Sequence, residues 1–191
     1  GNFRNDLATI RKYKGNRSEF DRPTHYEEIR RYPKEVWHAK EVSGQEADDE
    51  IGIRAYEINE QSADQEAVVV SIDKDLDMIE GYHYNWVAQT KYKVDARQAI
   101  FNFYMQMLMG DTTDNIPGVK GIGPKKALGL LEGLSKEKAL YTTVRDCWHE
   151  HHPHGVQCED GSTISVDKAL LEVGRLLWIK RERNEPLWEP P

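Results

Sequence analysis

Gly110-Asp-Thr-Thr-Asp114-Asn-Ile-Pro-Gly118-Val-Lys-Gly-Ile-Gly-Pro-Lys-Lys-Ala127 sets two carboxylates three residues apart directly before a glycine-rich turn. Gly118, Gly121 and Gly123 let the backbone turn tightly and approach another molecule closely. Pro124 suits the first position of a helix. Lys125 and Lys126 fall in that helix's first turn, where a cation opposes the helix dipole. An anion held by the open backbone N–H groups and by both lysines reverses that penalty, and phosphate is the usual candidate. The stretch reads as an acidic metal site beside a phosphate grip. Taken alone, Asp111 and Asp114 also suit plain capping and turning of the chain.

Upstream, Asp95 to Met109 is an amphipathic helix with Ile100, Phe103, Tyr104, Met107 and Leu108 on one face. It delivers the chain to Asp111. Ala67-Val-Val-Val-Ser-Ile72 is a continuous β-branched run, as expected of a strand buried on both faces of a parallel sheet. It ends in Asp73-Lys-Asp75-Leu-Asp77. Period-two geometry places Asp73 and Asp75 on one side, at the strand's carboxyl end, where open α/β sheets keep their ligands. An EF-hand is excluded: its sixth position would be Met78 in place of glycine, and its twelfth Tyr84 in place of glutamate.

Ala47 to about Glu60 has helical spacing, with Ile51, Ala55 and Ile58 inward and Asp48 on the same stripe. A lone buried carboxylate is costly unless a cation compensates it. Acids at a helix start, such as Glu46, Asp48 and Asp49, are also favoured for the dipole alone. Further upstream, His25 to Tyr32 reads as a short helix that ends near Pro33. The first forty residues mix basic side chains with Tyr13, Phe20, Tyr26, Tyr32 and Trp37, a pattern that suits a strand-guiding surface as well as a solvated charged helix. Val166 to Lys180 is a final helix with Ala169, Val173, Leu176 and Leu177 inward. The tail after Glu185 is extended. Cys147-Trp-His-Glu-His-His-Pro-His154 with Cys158 matches no common zinc finger in order or spacing.

The chain has 191 residues, 38% hydrophobic and 31% charged, which fits one domain or one domain with a lobe. No apolar run is long enough to span a membrane, so no membrane partner is expected. Two cysteines are too few for a disulfide framework, and a cytoplasmic setting follows as the default. The net charge of −7 argues against a nucleic-acid partner until the acids are located. Setting aside Glu46, Asp48, Asp49, Asp73, Asp75, Asp111 and Asp114 among the 33 acidic residues leaves 26, equal to the 26 basic ones. The excess acidity is therefore what a metal site would contribute.

Three acidic clusters, at 46–49, 73–75 and 111–114, are harder to read as decoration than any one of them. Mg²⁺ and Mn²⁺ prefer oxygen ligands, and shared carboxylates hold two ions close together. Two such ions roughly 3.5–4 Å apart serve phosphodiester hydrolysis.

These motifs resemble the 5′-nuclease superfamily: flap endonucleases, phage 5′→3′ exonucleases and the small nuclease domain of bacterial DNA polymerase I. Tyr13-Lys-Gly-Asn-Arg17 is similar to the family's basic motif. Val42-Ser-Gly-Gln-Glu-Ala-Asp-Asp-Glu50 is similar to its first acidic motif and Ser71-Ile-Asp-Lys-Asp75 to its second. Gly110 to Gly118 is similar to its third, followed by a helix-hairpin-helix. The match runs from about residue 3 to 134, and the ending from Leu176 to Pro191 is most similar to phage members.

The resemblance implies that Glu46, Asp48 and Asp49 serve a first Mg²⁺ or Mn²⁺ ion, and Asp73, Asp75, Asp111 and Asp114 a second. It implies that Lys14 and Arg17 contact the scissile phosphate as cationic clamps. Gly118, Lys120, Gly121, Gly123, Lys125 and Lys126 would bind the duplex backbone, in a hairpin that holds a K⁺ ion in relatives. Residues 17–37 would form an arch over the 5′ strand. The family also opens with a strand bearing an aspartate, with a second aspartate just upstream of the position of Phe3. The chain as given starts after both, so residues 1–191 alone are expected to be poorly stable and to bind DNA better than they cut it.

The fold expected is α/β, a mostly parallel central sheet flanked by helices (a PIN-like 5′-nuclease core). It is divided into a core at 1–109, a helix-hairpin-helix lobe at 110–134 and a C-terminal helical region at 135–191. The function expected is metal-dependent hydrolysis of DNA at 5′ flaps, nicks or free 5′ ends in replication or repair. The protein would be a monomer in the cytoplasm, that of the host if phage-encoded. A junction-binding module of the same fold that cannot cut is the alternative, and an RNA-cleaving nuclease fits the hairpin less well.

Overall fold

The computed structural model describes residues 2–17, 22–61 and 64–191. Its centre is α4 (Ala96–Met109), the helix written most plainly in the sequence. Asp95 caps it by accepting a hydrogen bond from the Gln98 N–H at 2.8 Å, a contact worth about 1 kcal/mol. Phe103, Tyr104, Met107 and Leu108 are fully buried, each apolar side chain contributing roughly 1.5–3 kcal/mol.

Three helices pack on α4: α5 (Pro124–Leu131), α6 (Glu137–His151) and α7 (Val166–Leu177), with the short α1 (Arg4–Leu7) against α7. The Trp148 indole N–H of α6 donates to the Met107 carbonyl at 3.0 Å. The extended tail closes this layer. Trp188 is buried, with its ring 5.4 Å from that of Phe103 and its face against Gly174, where any side chain would overlap the indole.

The sheet has β1 (Val68–Val70), β2 (Gly81–Asn85) and β3 (Thr90–Val94), in that order. β1 pairs parallel with β2, and β2 antiparallel with β3. The α/β class stands, but the sheet is small and mixed where a mostly parallel one was expected. The β-branched run is not buried on both faces either: Val69 points inward, while Val68 and Val70 are 43% and 61% exposed. β1 is an edge strand packed on one face only, so the pleat's alternation reappears. A second, two-stranded sheet pairs β4 (Val156–Gln157) with β5 (Thr163–Ile164).

α3 (Ala47–Gln61) buries Asp49, Gly52, Ile53 and Ala55 in place of the stripe through Asp48, Ile51 and Ile58. The helix is rotated because Gly52 lies against the Lys180 carbonyl, a contact that any side chain would block. α2 (Tyr26–Val36) runs through Pro33 and one turn beyond it. None of its residues is buried, so water can serve the Ile29 carbonyl that proline leaves without an N–H partner. Residues 18–21, part of the expected arch, and Gly1 lie outside the described residues. α7 ends at Leu177, three residues earlier than its periodicity suggests, where Trp178 turns extended. Among the described residues no helix is long and apolar enough to cross a membrane.

Candidate metal and phosphodiester site

The loop after α4 is built by two glycines. Gly110 has φ +70°, and a side chain on it or on Gly118 would run into the other's backbone. With the two strands of the loop in contact, Asp111 and Ile116 exchange backbone hydrogen bonds at 2.9 and 2.7 Å. The Asp111 carboxylate accepts from the Thr113 N–H at 2.7 Å, which fixes its direction. The loop thus presents Asp111 and Asp114 together.

Opposite them stands the basic segment. Lys14 holds a left-handed backbone, φ +54°, an uncommon conformation for a side-chain-bearing residue. Its N–H donates to the Asp114 carbonyl at 2.9 Å. The lysine ammonium pairs with Glu46 and lies 3.4 Å from Asp114, while Arg17 pairs with Asp114 at 2.5 Å. Tyr13 is buried, its hydroxyl 2.9 Å from Glu46 and 2.8 Å from Asp114. Burial first, and then both carboxylates, push its ionisation upward.

One small pocket is lined by Glu46, Asp48, Asp75, Asp111 and Asp114, with Tyr13, Arg4 and Gln106 in its walls. Asp75 is supplied by a single helical turn (Asp75–Met78) and not by the strand end itself. It accepts a hydrogen bond from Gln106 Nε2 at 2.6 Å. Burial, then the charges of Asp111 and Asp73, push the Asp75 carboxyl up to about 6. Burial, then Glu46 and Asp73, raise that of Asp48. Asp73 is exposed at the rim. Carboxylates from three distant segments therefore act on one another.

Asp49 is placed differently from its neighbours. It is wholly buried, and Arg4 grips both its oxygens at 2.6 and 2.9 Å. The N–H groups of Lys180 and Glu46 donate to it as well, at 3.1 and 3.2 Å. Burial alone would raise its carboxyl, but the guanidinium outweighs this and holds it below the usual range. Its lone pairs are spent on the fold, so the pocket does not receive it.

The remaining donor set is oxygen only and rich in like charge, which fits a hard divalent cation such as Mg²⁺ or Mn²⁺. Among the described residues, however, no three Asp, Glu, His or Cys groups already stand where one ion could join them. The basic side chains of Lys14 and Arg17 neutralise part of the cluster instead. The histidine-rich segment likewise groups no such donors among the described residues: Cys147 and Cys158 are free, and the His152 ring lies tilted against Trp148 at 5.2 Å.

The hairpin residues lie along 118–126, with Lys120, Gly121, Gly123, Lys125 and Lys126 exposed and Gly118 half-buried. Pro124 opens α5 as its first residue. Ala127 N–H bonds the Gly123 carbonyl at 2.9 Å, which leaves the first-turn N–H groups of Lys125 and Lys126 open. No ion pair among the described residues engages the three lysines.

Sequence reasoning passed over three side chains of this site. Arg4, next to an ordinary phenylalanine, carries no motif. Tyr13 opens the basic motif, but nothing in its sequence context assigns its hydroxyl to Glu46 and Asp114. Gln106 offered a signal: it is a polar residue within the helix that packs the core, one turn before Gly110.

Comparison with known proteins bears on the family and the fold. Residues 102–164 match the family model described as 5′-3′ exonuclease, C-terminal SAM fold. A 5′-3′ exonuclease of Buchnera aphidicola subsp. Schizaphis graminum is 34% identical over 156 residues, covering 75% of this chain and 53% of that protein. The flap endonuclease Xni of Shewanella baltica is 31% identical over 156 residues, covering 76% and 58%. The chain thus spans a little over half the length of these relatives. A bacteriophage T5 flap endonuclease, solved as a pseudo-enzyme-product complex with DNA and metal ions, shares the fold. Its TM-score is 0.53 at 18% identity, covering 92% of this chain and 79% of that one. In motif order and in these likenesses the chain resembles 5′-3′ exonucleases and flap endonucleases, and it shares the fold of the T5 enzyme.

Proposed function

We propose that the protein is a metal-dependent 5′ nuclease that hydrolyses DNA phosphodiesters at or near 5′ ends and flaps. The observation that carries this reading is the convergence of carboxylates from 46–48, 73–75 and 111–114 beside Lys14 and Arg17. The names of the relatives, exonuclease and flap endonuclease, point the same way.

Glu46, Asp48, Asp73, Asp75, Asp111 and Asp114 would hold two divalent ions. When bound, these would supply an activated water and stabilise the leaving oxygen. Tyr13 keeps Glu46 and Asp114 turned toward each other. Lys14 and Arg17, paired with those carboxylates here, would turn to the scissile phosphate, where preorganised cations stabilise the transition state. Gly118 to Lys126 would grip the duplex away from the cut, through open N–H groups and the unpaired Lys120, Lys125 and Lys126. A K⁺ ion at this hairpin belongs to the same proposal, as do a monomeric state, a cytoplasmic setting and the division into core, hairpin lobe and C-terminal region.

The second reading, a junction-binding module that does not cut, is favoured by one observation: among the described residues, no three donors are already grouped around one point. Incubation with end-labelled 5′-flap, nicked and single-stranded substrates, with Mg²⁺ and with EDTA, separates the two. The nuclease reading expects flap products only with the metal. Tight flap binding with no products in Mg²⁺ or Mn²⁺ would establish the binding module instead.

A further inference from the structure

Gln106 sits on α4 one turn before Gly110, whose N–H bonds the Gln106 carbonyl. Its side chain leaves the helix toward the acidic pocket and lines it. Nε2 donates to Asp75 Oδ1 at 2.6 Å, while Oε1 is buried and has no hydrogen-bond partner among the described residues. A buried acceptor left without a donor is unfavourable, so this oxygen calls for a donor beyond the protein's own groups. The core does not need this side chain, since Phe103, Met107 and Leu108 already fix α4.

The amide orientation follows from chemistry. With the amide reversed, Oε1 would face the Asp75 carboxylate, acceptor against acceptor. The contact with Asp75 therefore selects the observed orientation and leaves Oε1 as the buried acceptor of a side chain that lines the pocket. The other polar groups there are mostly carboxylates. A hard divalent cation keeps several of its waters, and their protons need acceptors. Gln106 provides one without adding negative charge.

We infer that Gln106 is a positioning residue of the acidic pocket, its Nε2 holding Asp75 and its Oε1 accepting from the water shell of a divalent cation. The inference rests on the metal-dependent reading above. Outer partners of this kind typically change metal affinity by about 10–100-fold.

The test replaces Gln106 in the full chain by Met, which keeps the length but neither donor nor acceptor. A second variant, Gln106→Asn, stays polar but is too short to reach Asp75. Mn²⁺ binding is measured by calorimetry, thermal unfolding in EDTA, and single-turnover flap cleavage across a range of Mn²⁺ concentrations. Both variants should bind Mn²⁺ about tenfold or more weakly. Their melting in EDTA should match or exceed the parent's, and cleavage should recover at high Mn²⁺ with DNA affinity unchanged. Parent-like Mn²⁺ affinity in either variant overturns the assignment, as does a loss matched by lower stability in EDTA. If the parent binds Mn²⁺ and Asp111→Asn does not, while Gln106→Met behaves as the parent, the positioning role alone falls. A parent that binds no Mn²⁺ overturns both the inference and the reading beneath it.

Discussion

Arg4 and Asp49 form a two-pronged buried ion pair, Nη1 to Oδ2 at 2.6 Å and Nη2 to Oδ1 at 2.9 Å. Arg4 also donates to the carbonyls of Leu176 and Trp178 at 2.9 and 2.7 Å. One guanidinium thus ties α1 to the start of α3 and the end of α7. Removing either partner leaves the other charged and buried, so Arg4→Met or Asp49→Asn should cost about 3–5 kcal/mol in denaturant unfolding. The apolar double replacement, Arg4→Met with Asp49→Leu, should recover much of that. Mn²⁺ affinity of the folded Asp49→Asn variant should stay at the parent's level. A large loss of metal binding with intact stability would return Asp49 to the metal site.

The same pair sets a pH dependence. The folded Asp49 carboxyl lies below its ordinary value, so its contribution is complete above the unfolded value of about 3.9. It is lost as pH falls through the lower folded value. Unfolding free energy measured downward from neutral pH should fall more steeply in this acid range for the parent than for Asp49→Asn. Equal slopes would mean that the pair does not control acid stability.

Gly118 has no room for a methyl group against Met109 and Gly110. Gly118→Ala should destabilise the protein by about 1–3 kcal/mol, the usual cost of overpacking, and should lower flap cleavage further by displacing Asp111 and Asp114. Gly123→Ala, at a position with open space, should leave stability nearly unchanged. Circular dichroism melts of the two variants check the contrast.

Lys125 and Lys126 should act on affinity, and Lys14 and Arg17 on chemistry. The Lys125→Ala, Lys126→Ala double variant should bind duplex DNA more weakly. Its log–log salt dependence should be shallower by about 0.9 for each phosphate that the protein no longer neutralises. Lys14→Ala or Arg17→Ala should depress the single-turnover rate on bound substrate. Fluorescence anisotropy and rapid-quench cleavage would reveal the reverse assignment if it holds.

The sequence announced α4, the Pro124 helix start and the three acidic segments, because local periodicity and turn chemistry determine them. It did not announce the hairpin of β2 and β3. On one face of that hairpin the buried His83 stacks at 5.3 Å on the exposed Tyr92, and Val94 is the one buried residue of β3. Polar aromatics of this kind leave no hydrophobic alternation to read. The rotation of α3 was hidden for another reason: it depends on Gly52 meeting the Lys180 carbonyl, a contact between residues far apart in the chain. Asp49 and Asp48 are neighbours in one acidic run, and only the Arg4 contact separates the fold's carboxylate from the pocket's. Spacing marked the cluster but not which members it keeps.

The proposed function places metal-dependent cleavage of 5′-flap DNA in the pocket of Glu46, Asp48, Asp75, Asp111 and Asp114. Single-turnover cleavage in Mg²⁺ by the parent, Asp75→Asn and Asp111→Asn tests it most directly, with each variant's fold checked in EDTA. The parent should cleave and EDTA should abolish that cleavage, and each folded variant should lose at least about 100-fold, or roughly 2.7 kcal/mol of transition-state stabilisation. Parent-like rates in both variants, or cleavage that persists in EDTA, would contradict the proposed function.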